Sequence, residues 1–310
     1  MLGVALIIFG LSYIAAVAAL LALRFRVGMR LVGAVPLVLL ALMLGLFGLY
    51  AAPAFARYGP GLVASAQWNP PREAYGLLPA LLGTLLTSAV AIAIAVPLAL
   101  SAAVALNEFL PGLLREVVGS LMDLTAAMPT VIYGLWGLFT LGPFLQRLIN
   151  GVSSLLGLGV EMQAPVSLLT AGVLLGVVIT PYIAAVVREG YALIPKAIEE
   201  AIYAVGATRL EAVLLKLRYA RGYVLGGLFL GLGRAMGETV AVAMVVGGDY
   251  VHPTLNLLSP GITISSLIAL QFPESSGYTI SVLFAAAFLL AAVGLGLNAM
   301  GVYLIRRWGT

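Results

Sequence analysis

The sequence predicts an all-α, polytopic membrane protein with six to seven transmembrane helices. Of its 310 residues, 62% are hydrophobic and only 9% are charged, where a water-soluble domain carries about 25% charged residues. The mean hydropathy is +1.12, so there is too little charge to coat a water-facing surface, and most of the surface must face lipid. The apolar residues also gather into runs of about 20, the length a helix needs to cross a bilayer core about 30 Å thick. Backbone groups in lipid must be satisfied internally, which favours helices over open strands.

Seven runs qualify: 2–23, 31–52, 77–106, 117–141, 165–187, 223–246 and 278–305. The first has the length of a signal peptide. It lacks a basic start, however, and is followed by Arg24, Arg26 and Arg30 rather than by a small-residue cleavage site, so it is read as a helix. The third run carries Pro79 and Pro97, which a kink, a tilt or a preceding interfacial segment would accommodate. Residues 1–60 form an N-terminal pair of helices on this reading. Residues 68–310 form a transmembrane domain with a long polar loop at 188–222.

Orientation follows from the Lys/Arg bias of short loops. One set of connections holds Arg24, Arg26, Arg30, Arg115, Arg188, Lys196, Arg209, Lys216, Arg218, Arg221, Arg306 and Arg307; the opposite set holds Arg57, Arg72 and Arg147. The basic set is expected to be cytoplasmic, together with the C-terminus and the 188–222 loop. The opposite segments, 53–76, 142–164 and 247–277, are rich in Gly, Pro, Ser and aromatics and read as loops and interfacial turns. Trp68, Tyr75 and Tyr250 suit the headgroup level.

Several function classes are excluded at this stage. The net charge of +4 is scattered in short clusters between apolar runs, unlike the aromatic-laced basic patch of a nucleic-acid binder. There is no cysteine and a single histidine, so no disulfide framework or thiol nucleophile exists, and His252, followed by Pro253, reads as an ordinary loop residue rather than a metal ligand. No nucleotide-binding P-loop is present. A secondary transporter would need several buried carboxylates or histidines, and the runs offer only Glu238 and Asp123. Asp123 is expected to have a structural role, and Asn107 and Glu108 close the third run as helix-end residues.

The 188–222 loop is too ordered in pattern to be a plain linker. Ile194, Ala197, Ile198, Ala201, Ile202 and Val205 recur at helical spacing and make an apolar stripe. Gly206 then ends that helix, at a position where positive φ is often required. Thr208-Arg209-Leu210-Glu211 follows as a capping box and starts a second helix over 209–217. The result is a helix–turn–helix at the membrane surface, suited to lipid headgroups or to a partner protein.

In the sixth run, Arg234 and Glu238 stand one turn apart, which predicts an i,i+4 pair on one helix face. Ionisable residues this deep usually face the bundle interior and mark function. Two readings stand: a structural ion pair, or an anion-pathway role in which Glu238 positions Arg234, whose planar fork suits phosphate oxygens. Gly227, Gly231, Gly233 and Gly237 allow close helix approach in lipid, either for packing alone or at a second subunit.

Glu200-Ala201-Ile202-Tyr203-Ala204-Val205-Gly206 resembles the signature cytoplasmic loop of ABC-importer permeases, Glu-Ala-Ala, three residues, then Gly. The stretch Gly233-Arg234-Ala235-Met236-Gly237-Glu238-Thr239-Val240-Ala241-Val242 is similar to the phosphate-importer permeases, and its Val-Ala-Val continuation to their PstC family. So are Trp68-Asn69-Pro70 and Ala126-Ala127-Met128-Pro129-Thr130, and the likeness runs from Trp68 to the C-terminus.

The resemblance implies a type I (MetI-like) importer bundle. It implies a coupling helix at Glu200, Ala201, Gly206 and Ala207 that docks on an ATPase, and a substrate pathway near Arg234, Glu238 and Thr239. The expected partners are a second, PstA-like permease, a PstB-like ATPase dimer that holds the ATP and Mg2+, an extracytoplasmic PstS-like phosphate-binding protein, and the lipid bilayer. No cofactor or metal is expected on this chain, and no covalent chemistry. A permease for sulfate, molybdate or tungstate is the nearest rival. One departure stands out: the family's Leu-Pro pair after the coupling helix is replaced by Lys216-Leu217-Arg218-Tyr219-Ala220, so a different bend is expected on the approach to the sixth run.

Overall fold

The structure, a computed structural model, describes residues 10, 12–19 and 25–308. The chain divides into two compact units, residues 1–50 and 51–310. Residues 10 and 12–19 of the first predicted run are helical; the rest of that run lies outside the described residues. Helix α1 (Phe25–Tyr58) takes up the second run.

Within residues 51–310, the short helix α2 (Gly61–Ala64) leads into a two-stranded hairpin. Strand β1 (Trp68–Asn69) pairs antiparallel with β2 (Ala74–Tyr75). The turn between them is capped by Asn69, whose Oδ1 accepts from the Arg72 backbone N–H. Helix α3 (Leu78–Val104) passes without interruption into a π-helical turn, Ala105–Phe109. Then come α4 (Gly112–Ala127), α5 (Thr130–Trp136), a second π turn at Gly137–Leu141, and α6 (Gly142–Leu156). Helix α7 (Leu168–Ala192) precedes the polar loop, which holds α8 (Lys196–Ala204) and α9 (Arg209–Tyr219). The chain ends with α10 (Arg221–Gly237), α11 (Val240–Val245), α12 (Ile264–Gln271) and α13 (Tyr278–Trp308).

Among the described residues, four helices are long and apolar enough to cross a membrane: Val27–Tyr58, Leu78–Phe109, Leu168–Ala192 and Tyr278–Trp308. Helix α7 is central to the bundle and buries Leu174, Leu175, Val178, Ile179 and Ile183. It packs on α3 through small residues on both sides. Ala91, Ala95, Ala99 and Ala103 repeat every four residues along α3 and are all fully buried. A Cβ at Gly172 of α7 would lie 2.6 Å from the Val90 Cβ, and one at Gly176 would lie 3.0 Å from the Ile94 Cβ. In lipid this close approach, rather than expulsion of water, is what draws helices together.

Three stretches depart from a simple succession of spans and loops. Pro129 bends the run 117–141 sharply: α4 and the helical segment Thr130–Leu156 meet at 94°. Pro129 disfavours the helical conformation for Met128, which is extended with ψ 137. The freed C-terminal carbonyls of α4 are met by tyrosines: Tyr133 Oη donates to Thr125 O at 2.7 Å and Tyr182 Oη to Ala126 O at 2.5 Å. Secondly, much of the segment 142–164, expected to be loop, is the 15-residue helix α6. Its polar stripe, Gln146, Asn150 and Ser153, sits at i, i+4 and i+7 and holds the backbone of Val160, Met162 and Gln163.

Thirdly, the run 223–246 is broken. Helix α10 ends at Gly237, Glu238 is extended (φ −69, ψ 124), and α11 starts after Thr239. The following segment, also expected to be loop, folds back into the bundle. A Cβ on Gly83 of α3 would lie 1.9 Å from the Ile262 carbonyl oxygen, so only glycine permits this contact. The short helix α12 then begins with a Thr263–Ser266 capping box and buries Ile264, Ser265, Ser266 and Leu267. Its first N–H is accepted by Thr84 Oγ1 at 2.9 Å.

Candidate functional site

Arg234 lies in the last turn of α10 and is exposed. Its guanidinium stacks on the Tyr182 ring of α7, 3.8 Å from the centroid. Tyr182 is itself fixed by its hydrogen bond to Ala126 at the α4–α5 bend. The ring therefore forms a platform that leaves the guanidinium edge, where all the N–H donors point, open to an anion.

Glu238 does not pair with Arg234. Among the described residues, the ion pairs between permanently charged groups are Arg57–Glu73 and Lys216 with Glu108 and with Glu199, and Asp249 contacts the His252 ring. The expected i,i+4 geometry requires helix through position 238, and the helix ends one residue earlier. Instead the Glu238 carbonyl accepts from Ser265 Oγ at 2.8 Å, which ties the break to α12. Thr239 Oγ1 donates to the Gly237 carbonyl at 3.1 Å. His252 is a loop residue whose Nδ1 faces Asp249 at 3.0 Å.

The four glycines of α10 have different surroundings. A Cβ at Gly227 would meet Val186 at 3.3 Å, and one at Gly231 would meet Ile183 at 2.6 Å, so both face α7. One at Gly233 would come within 3.0 Å of the Asn298 side chain of α13, whereas one at Gly237 would meet nothing within 4 Å among the described residues.

The polar loop forms the expected helix–turn–helix. Gly206 takes φ +83, a region that β-branched and bulky residues avoid. Thr208 and Glu211 form both halves of the capping box. The two hydrogen bonds that Glu211 receives from Thr208 hold its carboxyl below the usual value. Glu200 and Ala201 are exposed and Ala207 is half-buried. Around the turn the surface is apolar: Val205 is 82% exposed and Leu210 70%. An open hollow of about 490 Å³ is lined by Val205, Gly206, Ala207, Glu211, Leu214 and Leu215. A rigid, apolar and uncovered knuckle of this kind suits a protein partner. Where the Lys216–Ala220 stretch replaces the Leu-Pro pair, α9 runs on to Tyr219 and the chain turns at Ala220 (φ −80, ψ 14) straight into α10.

The sequence reading missed the group beneath this knuckle. Lys216 is only 3% exposed, and its ammonium lies 2.6 Å from Glu108 Oε1 and 2.5 Å from Glu199 Oε1. Tyr191 Oη donates to the same Glu108 oxygen at 2.8 Å, and Arg209 donates to the Glu108 backbone carbonyl. Burial alone would lower the Lys216 pKa, but the hydrogen bonds to the two carboxylates outweigh it and hold the group above the usual lysine value. A raised value keeps the ammonium, and the stabilisation that depends on its charge, in place until the pH rises past the ordinary lysine range; at the acid end the pair is lost when its carboxylate partners protonate, so the cluster is charged at neutral pH. The available signal was a lone lysine inside the apolar stretch Val213-Leu214-Leu215-Lys216-Leu217.

Comparison with known proteins agrees with this geometry. Residues 95–310 match the family described as binding-protein-dependent transport system inner membrane component. The chain is 38% identical over 282 residues to the probable phosphate transport system permease protein PstC of Methanocaldococcus jannaschii, covering 87% of this chain and 89% of the relative. It is 36% identical over 257 residues to the PstC protein of Mesorhizobium japonicum, covering 77% and 78%. Two solved structures share the fold. One is a bacterial alginate ABC transporter, with TM-score 0.61 and 17% identity over 93% of this chain and 96% of that one. The other is the MetNI methionine ABC transporter, with TM-score 0.53 and 21% identity over 76% and 94%.

Proposed function

We propose that this chain, which belongs to the binding-protein-dependent transport-system inner membrane components and within them to the PstC family of permeases, forms the phosphate pathway of an ATP-driven importer together with a second, related permease. The observation that carries the reading is the 38% identity to a PstC protein across 87% of the chain. The local geometry supports it at both ends of the bundle.

In this reading the Lys/Arg-rich end is cytoplasmic. The apolar knuckle around Gly206 docks in a groove of an ATPase subunit, which holds the ATP and Mg2+. Glu200 and Ala201 lie on the exposed side of α8, where such a partner would meet them. An extracytoplasmic binding protein delivers phosphate to the opposite end. The anion passes the Arg234 edge, which the Tyr182 ring holds in place. A Cβ at Gly237 would meet nothing within 4 Å among the described residues, so the exposed end of α10 is free to pack closely against the second permease. Nucleotide closure of the ATPases moves the knuckles, and the two permeases open and close the path between them. This chain supplies shape, an anion-attracting charge and a mechanical linkage, with no bond-making step of its own.

Anion competition tests the substrate assignment. Cells that rely on this system for phosphate should take up labelled phosphate, and excess sulfate, molybdate or tungstate should leave that uptake unchanged. Displacement by one of those oxyanions at concentrations where unlabelled phosphate is ineffective would assign the permease to that anion instead.

A further inference from the structure

Helices α8 and α9 have covalent neighbours. Residues 193–195 join α8 to α7, and Ala220 joins α9 directly to α10, so any displacement of the knuckle reaches α7 and α10 along the chain. No such connection reaches α3 and α4, because Glu108 and Lys216 are 108 residues apart. Yet α9 grips the junction between α3 and α4 with both of its ends. Arg209, in its first turn, donates to the Glu108 carbonyl and stacks on Phe109, 4.3 Å from the ring centroid. Lys216, in its last turn, binds the Glu108 carboxylate while also holding Glu199 of α8.

We propose that Lys216 is a positioning residue for transport: it clamps α8 and α9 to the π turn at Glu108, so that displacement of the docking knuckle is delivered to α3 and α4 as well as to the covalently attached helices.

Three features favour a mechanical role over simple charge neutralisation. The clamp joins residues from four elements, α7 through Tyr191, the π turn through Glu108, α8 through Glu199 and α9 itself. The gripped segment is a π turn, an irregularity that often marks functional positions in helices. And α4, which follows that turn, carries in its last turn the Ala126 carbonyl that holds Tyr182 under Arg234. One end of α4 is thus tied to the docking loop and the other to the anion-facing arginine. This inference rests on the proposal that the 188–222 loop docks the ATPase.

The test uses the complete transporter in proteoliposomes, with Glu108→Gln, Lys216→Met and the double variant. Three quantities are measured: ATPase binding, ATP hydrolysis stimulated by the phosphate-loaded binding protein, and phosphate moved per ATP. In Glu108→Gln, Lys216 keeps Glu199 as a partner, so this variant should assemble even if Lys216→Met does not. The expected result is hydrolysis within about twofold of the parent, with phosphate moved per ATP reduced tenfold or more. The double variant should be no worse than the more impaired single one. An unchanged ratio of phosphate to ATP in Glu108→Gln, or a proportional loss of both activities, would overturn the clamp. Failure of the ATPase to bind the unmodified chain would overturn the docking reading itself, a result read from binding alone.

Discussion

The Arg234–Tyr182 stack gives a sharp prediction. Replacing Tyr182 by Leu removes the ring that lies 3.8 Å beneath the guanidinium, while the arginine and its charge remain. A cation–π contact contributes about 0.5–1 kcal/mol when exposed and about 2 kcal/mol when desolvated. If that restraint holds Arg234 where it meets the passing anion, its loss raises the barrier by at most the same amount. At about 1.36 kcal/mol per tenfold, the 0.5–1 kcal/mol of an exposed contact corresponds to roughly 2- to 5-fold slower phosphate uptake. Tyr182→Phe keeps the ring and removes only the 2.5 Å hydrogen bond to Ala126. It should retain more transport than Tyr182→Leu while losing some stability, about 1 kcal/mol, because a partly buried carbonyl loses its donor. The assay is initial-rate uptake of labelled phosphate in proteoliposomes, normalised to the amount of assembled complex. Wild-type rates in Tyr182→Leu, alongside inactivity of Arg234→Gln, would refute the platform argument.

Other perturbations separate the remaining parts. Exchanging Arg234 and Glu238 should not restore transport, because no ion pair joins them in the structure; recovery of uptake in the exchanged protein would show that they act as a pair. Gly83→Ala places a methyl 1.9 Å from the Ile262 carbonyl, and overpacking of this kind costs about 1–3 kcal/mol or more, so detergent-solubilised protein should unfold at lower temperature; an unchanged melting point would count against the re-entrant packing of residues 247–263. Gly206→Val forces a β-branched residue towards φ +83 and should abolish ATPase binding while membrane insertion continues, as measured by co-purification. Because the chain contains no cysteine, single Cys at position 68 or 256 should react with an impermeant thiol reagent in intact cells, and Cys at 207 only after the membrane is opened.

The features legible in the sequence are those set by short-range chemistry. The apolar runs that became α3, α7 and α13 needed only length and composition. The Gly206 turn and the Thr208–Glu211 box were readable because their partners lie within three residues. Helix α6 was hidden because it is amphipathic rather than apolar, and its Gln146–Asn150–Ser153 stripe pairs with backbone up to 17 residues away. The break at Glu238 looked like continuous helix because what fixes it, Ser265 Oγ on the Glu238 carbonyl, comes from 27 residues further on. Glu108 and Lys216 each looked ordinary alone, a helix-end residue and a charge in a basic loop, and only the packing of α9 against the π turn makes them a site.

The central claim is most directly tested by ATP-driven accumulation of labelled phosphate in proteoliposomes that contain this chain, its sister permease and the ATPase, with the loaded binding protein supplied on the side opposite the nucleotide. Accumulation should require all components and ATP, and should stop when this chain is omitted. Accumulation that proceeds without this chain, or that is driven by an ion gradient in the absence of ATP, would contradict the account.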